Sequence, residues 1–202
     1  YLEPDLFFAG VRPAINVGTS VSRVGGNAQI KAMKKIAGTL RIAMAQYRAL
    51  EAFAQFGSEL DRESQKQLAR GARVVEILKQ PQYRPVPVES QVVAIWVGTG
   101  GYLDALPVED AKRFVDDFIE HLSARTGVLD AIRDTGELSD ETEATLKQAV
   151  EDFTQAFVRS DAGEGSEAVV GQAAPRDPVK PDVGWDRLSS ADDEDEPPGS
   201  GG

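Results

Sequence analysis

The chain has 202 residues, 41% of them apolar, and a formal charge of −11, which suits one moderate domain or a small domain with appendages and argues against collagen-like, coiled-coil and wholly disordered classes. With no cysteine and a single histidine, His121, there is no disulfide framework, thiol nucleophile or cysteine-ligated zinc site, and little material for a histidine metal cluster. The negative balance repels nucleic acid and anionic lipid, so no nucleic-acid partner is expected.

The charge is unevenly spread. Residues 161–202 hold 11 Asp and Glu against 3 Lys and Arg, leaving 22 against 19 for residues 1–160. Two bodies of different physics therefore meet near Asp161. The longest strongly apolar run, Val92-Val93-Ala94-Ile95-Trp96-Val97, is far short of the roughly 20 residues of a membrane-spanning helix. No charged-then-apolar signal segment opens the chain, and it starts at Tyr1 rather than Met, so the expectation is a piece of a longer polypeptide.

Taken in chain order, Tyr1 to Asn27 is rich in Gly, Pro, Ser and β-branched residues and reads as loops with short extended pieces such as Ala14-Ile15-Asn16-Val17. It offers too few strands to close a sheet, and reads as the torn edge of a larger sheet domain. From Gln29 the period becomes helical: Ile30, Met33, Ile36, Ala37, Leu40, Ala43, Met44, Tyr47, Leu50, Phe53 and Ala54 recur at three- and four-residue steps. This predicts one long amphipathic helix, bent at Gly38-Thr39 and ended by Gly57 and Ser58. Asp61 is a predicted N-cap for a second helix with Leu68, Ala72, Val75 and Leu78 inward, stopping before Pro81.

Prolines 81, 85 and 87 exclude a helix from the next segment, which is predicted to be an ordered connector or a pocket wall. A short buried helix is expected over Val88 to Val97, apolar on most sides. Pro107, Glu109 and Asp110 mark the start of another, with Ala111, Phe114, Val115, Phe118, Ile119 and Leu122 inward. Val128, Leu129 and Ile132 predict a further short helix. Ser139 is the predicted cap of the last one, whose core stripe is Leu146, Ala149, Val150, Phe153 and Phe157. Beyond Ser160 periodicity gives way to Gly, Pro and acid, the composition of a mobile tail that buries too little surface to offset its ordering entropy. Trp185 and Leu188 stand out there, as an incidental apolar spot or a short docking motif.

Few residues speak of chemistry. No G-x-x-x-x-G-K-[ST] phosphate loop occurs. Gly98-Thr99-Gly100-Gly101 reads as a helix-ending turn rather than a dinucleotide loop. His121 reads as solvated or structural, Asp116-Asp117 as surface, and Lys31, Lys34 and Lys35 as a solvated helix face, with a nucleic-acid patch around Lys34 and Lys35 the weaker alternative. Arg23 is different: it follows small hydroxyl and glycine residues at the torn edge and directly precedes the long helix. It is either a structural loop arginine or one aimed at phosphoryl oxygens, which its planar fork suits. In the second case it serves a site completed by another chain.

Several blocks in order and spacing carry a resemblance: Ala9-Gly10-Val11-Arg12-Pro13-Ala14-Ile15-Asn16-Val17-Gly18, Ser20-Val21-Ser22-Arg23-Val24-Gly25-Gly26, Gln46-Tyr47-Arg48, Phe53-Ala54-Gln55-Phe56-Gly57-Ser58-Glu59-Leu60-Asp61 and Leu78-Lys79-Gln80-Pro81-Gln82-Tyr83. Over about residues 1 to 158 the chain resembles the alpha subunit of the F-type ATP synthase, rather than the catalytic beta paralogue. The resemblance implies a mainly α fold: a remnant of the α/β nucleotide-binding domain over residues 1–28, the C-terminal helical bundle over 29–159, and a disordered acidic extension over 160–202. It implies the C-terminal part of the regulatory, non-catalytic alpha subunit of a proton-translocating ATP synthase. Arg23 matches the arginine finger supplied in trans to the beta-subunit catalytic site, with Ser22 supporting the loop. Phe7, Arg12, Gln80 and Gln82 match the adenine side of the subunit's own non-catalytic nucleotide pocket.

The resemblance further implies beta subunit, gamma rotor stalk and delta or peripheral stalk as partners, and ATP or ADP with Mg²⁺ as ligands of the complete subunit. It implies a peripheral place on the cytoplasmic side of a bacterial cell membrane. The phosphate loop and magnesium ligands are absent, so the fragment alone is expected to be inactive and to hold no cofactor, and no metal site is expected. The tail is expected to touch the rotor stalk and restrain hydrolysis. The alternative function is a free-standing helical interaction module of the same ancestry, without a catalytic role.

Overall fold

A computed structural model describes residues 1–55 and 60–164, with side chains for 1–54 and 60–158. Among the described residues the helices run α1 (Pro4–Phe8), α2 (Gly25–Ala28), α3 (Lys31–Gln55), α4 (Arg62–Leu78), α5 (Val88–Gly100), α6 (Ala111–Arg125), α7 (Val128–Thr135) and α8 (Asp140–Glu164). They contain no strand. One isolated antiparallel bridge joins Leu2 to Ile15.

The first 28 residues depart from the loop-and-strand expectation, because α1 and α2 lie within them. Pro4 sits in the first turn of α1, where its fixed φ suits the helix and its missing N–H is not needed. Leu6 turns inward and is buried. Of the expected extended piece only the bridge at Ile15 forms, flanked by backbone hydrogen bonds from Glu3 N–H to the Ala14 carbonyl and from Asn16 N–H to the Tyr1 carbonyl.

α3 begins two residues later than expected, since Gln29 is extended (φ −63°, ψ 142°) and caps α2. Gly38 and Thr39 lie inside the unbroken helix on its exposed side. Met33, Ile36, Leu40, Met44 and Tyr47 are buried as their spacing predicts, and Ala32, outside the predicted stripe, is buried as well. Phe53 and Ala54, expected inward, are instead exposed, Phe53 to 60%: the apolar stripe outruns the helices that cover it, and among the described side chains of α3 none beyond Tyr47 joins the core. The expected stop at Gly57 and Ser58 lies outside the described residues.

Asp61 caps α4, its Oδ1 accepting the Ser64 N–H at 2.8 Å, and that bond holds the carboxyl below its ordinary value. The buried face of α4 is turned toward Gly71, Val74 and Ile77 relative to the expected stripe, with Leu68, Ala72 and Leu78 only partly covered. α4 packs against α3, α5 and α6 together, so more than one side is covered. Gly71 lies under the Tyr47 ring, where an added Cβ would stand 2.3 Å from Cδ2. Burial, then the Tyr47 hydroxyl's 2.6 Å hydrogen bond to Glu51, pushes that phenol up to about 12.

α5 is the central helix, meeting α3, α4, α6 and α7. Val92, Val93 and Val97 have no exposed surface, as a helix apolar on most sides requires. It runs three residues further than predicted, and Gly101 ends it with a left-handed φ of 85°. At its start, buried Glu89 accepts from Arg133 of α7, Nε at 2.8 Å and a terminal nitrogen at 2.6 Å. Burial pushes the Glu89 carboxyl up, but a backbone N–H and the guanidinium together outweigh it and hold the group below its ordinary value.

α6 begins at Ala111, after a turn over 107–110, and packs on α8 through aromatic rings. Phe114 lies 5.2 Å from Phe153 and 5.0 Å from Phe157, both edge-on. Ser139 caps α8 as expected, its Oγ accepting the Thr142 N–H at 3.1 Å. α8 runs to Glu164, past the expected loss of periodicity at Ser160; the rest of the predicted tail, with Trp185 and Leu188, lies outside the described residues.

Candidate functional site

The site is built where the end of α4 meets the opening segment. Beyond Leu78 the prolines stop the helix, and the freed backbone N–H of Gln80 donates to the Arg12 carbonyl at 2.8 Å. The Gln80 side-chain amide donates to the Arg84 carbonyl at 2.8 Å, which folds the connector back on itself and leaves the amide oxygen as an acceptor. The Arg12 guanidinium lies 4.3 Å over the Phe7 ring. Phe7, Arg12, Gln80 and Gln82, separated by some seventy residues of chain, thereby line one open groove of about 840 Å³ together with Leu2, Pro4, Pro13 and Pro81.

That lining is mostly apolar, with two primary amides, one cation and the Glu3 carboxylate, which is bonded to the Asn16 side-chain amide. Such a concave surface presents flat apolar contact to a planar ring while the amides offer donors and acceptors at its edge, and its volume falls within the usual range of about 300–1,000 Å³ for small-molecule sites. An adenine ring fits that chemistry. The proline-rich segment, read from sequence as a connector or pocket wall, forms part of the wall through Pro81.

Ser22 and Arg23 do not line this groove. They stand on an exposed turn leading into α2, closed by the Ser22 Oγ accepting the Gly25 N–H at 2.8 Å. Arg23 is exposed and has no ion-pair partner among the described residues. An unpaired guanidinium in that position is available to an anion approaching from outside the chain.

The remaining candidates are engaged elsewhere. Lys31 pairs with Glu137 at 2.5 Å and Lys35 with Glu143 at 2.8 Å, joining the start of α3 to the α7–α8 connection and the start of α8, while Lys34 donates to the Asn27 carbonyl of α2 at 3.2 Å. Lys35, and after it Lys147, holds the Glu143 carboxyl below its ordinary value against partial burial. His121 packs 5.2 Å from the Phe153 ring, and Asp116 and Asp117 are exposed. No cluster of three potential metal ligands occurs among the described residues, and no helix among them is long and apolar enough to cross a membrane. Sequence reasoning missed Leu2, Glu3, Pro4, Pro13 and Ala14 as wall residues; their nearness in the chain to Phe7 and Arg12 was the available signal.

Residues 29–153 match the family model described as ATP synthase alpha/beta chain, C terminal domain. The chain is 58% identical over 174 residues to the ATP synthase subunit alpha of Mycolicibacterium vanbaalenii, a match covering 86% of this chain and 31% of that protein. It is 60% identical over 162 residues to the subunit alpha of Acidothermus cellulolyticus and 61% over 162 residues to that of Frankia casuarinae, each covering 80% of this chain and 29% of the relative. The chain thus spans about a third of the length of these curated relatives. With a helical body in the region matched by the family model and curated relatives that are alpha subunits, this chain belongs to the ATP synthase alpha/beta chain family and carries its C-terminal domain.

Proposed function

We propose that this chain is the C-terminal part of the regulatory, non-catalytic alpha subunit of a proton-translocating ATP synthase, and that Arg23 is lent to a catalytic site housed in the neighbouring beta subunit. The observation that carries this reading is Arg23 itself, exposed and without an ion-pair partner among the described residues, on a turn closed by Ser22. During phosphoryl transfer negative charge spreads over the transferring group, and a guanidinium fixed beside it lowers the barrier without forming a bond. Ser22 supports this by closing the turn onto the Gly25 N–H. On this reading the reacting nucleotide is held by the beta subunit, and this chain contributes the guanidinium alone.

The groove of Phe7, Arg12, Gln80 and Gln82 would hold the adenine side of the subunit's own, non-catalytic ATP or ADP with Mg²⁺, the phosphates and metal being held by parts of the complete subunit outside this sequence. The helical body would pack around the gamma rotor stalk, with delta or peripheral-stalk subunits completing the assembly on the cytoplasmic side of a bacterial membrane. The acidic residues 161–202 would act as a tether that restrains hydrolysis.

Reconstituting the complete subunit with Arg23→Ala and measuring multisite ATP turnover tests the reading. Fingers supplied in trans are worth about 10³–10⁵ in rate, so a loss well beyond tenfold with normal assembly is expected. A wild-type rate rejects the role.

A further inference from the structure

Asn16 stands between the groove and the arginine turn, and both ends of its side chain are bonded. Its Oδ1 accepts the N–H of Gly18 at 3.1 Å and of Thr19 at 3.3 Å. Its Nδ2 donates to Glu3 Oε1 at 2.8 Å. The opposite amide orientation would face oxygen with carboxylate and nitrogen with two donors, so the partners fix which end is which. The main chain of Asn16 is engaged as well: its N–H donates to the Tyr1 carbonyl at 3.1 Å, and its carbonyl accepts the Ser20 N–H at 2.9 Å and the Ser20 hydroxyl.

Each partner leads somewhere. Gly18, fixed by the amide, lies against α3 so closely that an added Cβ would stand 3.0 Å from the Ala45 Cα and 3.1 Å from its N. The turn is thus seated on the helix backbone, where a side chain would press tightly on Ala45. Ser20 is two residues from Ser22 and three from Arg23. On the other side Glu3 is the N-cap of α1, and its carbonyl accepts the N–H of Phe7, a groove residue, at 3.3 Å.

We propose that Asn16 is a positioning residue for Arg23: through Glu3 it ties the arginine-bearing segment to the wall of the nucleotide groove, and through Gly18 it seats that segment on α3. This rests on the reading of Arg23 as an arginine supplied to a neighbouring site. The consequence is that the groove wall and the arginine turn move as one piece, so loosening the Asn16–Glu3 link lowers turnover while substrate affinity at the neighbouring site is kept.

The test is made in the intact assembly. Asn16→Asp keeps an oxygen for Gly18 and Thr19 but sets a carboxylate against Glu3. Expected is a fall of about tenfold in multisite turnover at saturating ATP, equivalent to about 1.4 kcal/mol, with KM and assembly unchanged. Adding Glu3→Gln restores a donor opposite the new carboxylate and should return turnover to within about twofold of wild type, a coupling that a purely local folding defect would not produce. Should Asn16→Asp fail to assemble, Glu3→Ala breaks the same link from its other end and carries the same expected fall. Wild-type turnover in the link-breaking variant, or a fall that Glu3→Gln does not rescue, overturns the inference while leaving the Arg23 reading in place if Arg23→Ala is slow. Wild-type turnover in Arg23→Ala overturns both.

Discussion

At the residue scale, opposing effects at one position decide the outcome. Gly71 lies in the interior of α4, where alanine would ordinarily be favoured by about 1 kcal/mol. Here the added Cβ would stand 2.3–2.6 Å from the Tyr47 ring and its Cβ, and a buried tyrosine hydrogen-bonded to Glu51 has little room to give. Overpacking of this kind costs about 1–3 kcal/mol. Gly71→Ala is therefore expected to be destabilising, read as a lower denaturant midpoint at unchanged m-value; a stabilised variant would show that Tyr47 is free to move. Neither the helical period nor the turn chemistry of the sequence marks Gly71, because the contact comes from a residue on another helix.

At the scale of elements, α6 and α8 are held by a ring cluster. Phe114 is fully buried and meets Phe153 and Phe157 of α8 edge-on at 5.2 and 5.0 Å, while the Arg113 guanidinium lies 4.4 Å over the Phe157 ring. Phe114→Ala removes the centre of this contact and is expected to cost about 3–5 kcal/mol, measured by chemical unfolding with the far-ultraviolet helical signal followed in parallel. A cost under 1 kcal/mol would mean that α8 docks by other contacts. The helical stripes of α6 and α8 were legible in the sequence, since a period of 3.6 depends only on local backbone geometry. Which stripe faces which was not: Val74 and Ile77 of α4 are buried because α4 packs against three helices at once, and Phe53 is exposed because α3 runs past its cover.

On the scale of the whole molecule, acid stability adds up across the helix contacts. Glu89 and Glu143 both sit below their ordinary value of 4.5, and Asp61 below 3.8. A carboxyl whose folded pKa is depressed stabilises the fold above its unfolded pKa, and that contribution is lost as pH falls through the folded value. The thermal midpoint is therefore expected to hold from neutral pH to about pH 5 and then decline steadily toward pH 3. In Arg133→Ala the burial of Glu89 goes unopposed by the guanidinium, its carboxyl moves up, and its share of the pH dependence reverses sign. A variant whose acid limb matches wild type would deny the pair that role. The functional features divide along the same line of locality. The sequence by itself determined the helices from α3 onward, their caps at Asp61 and Ser139, the break at the prolines and the blocks that resemble an alpha subunit, because these depend on residues close in the chain. The tertiary structure alone decided that Phe7 and Arg12 meet Gln80 and Gln82 in one groove, that Glu89 is paired with Arg133, and that Asn16 bridges Glu3 to the arginine-bearing turn. Those are contacts between distant segments, set by how the helices pack and not by any period or spacing along the chain.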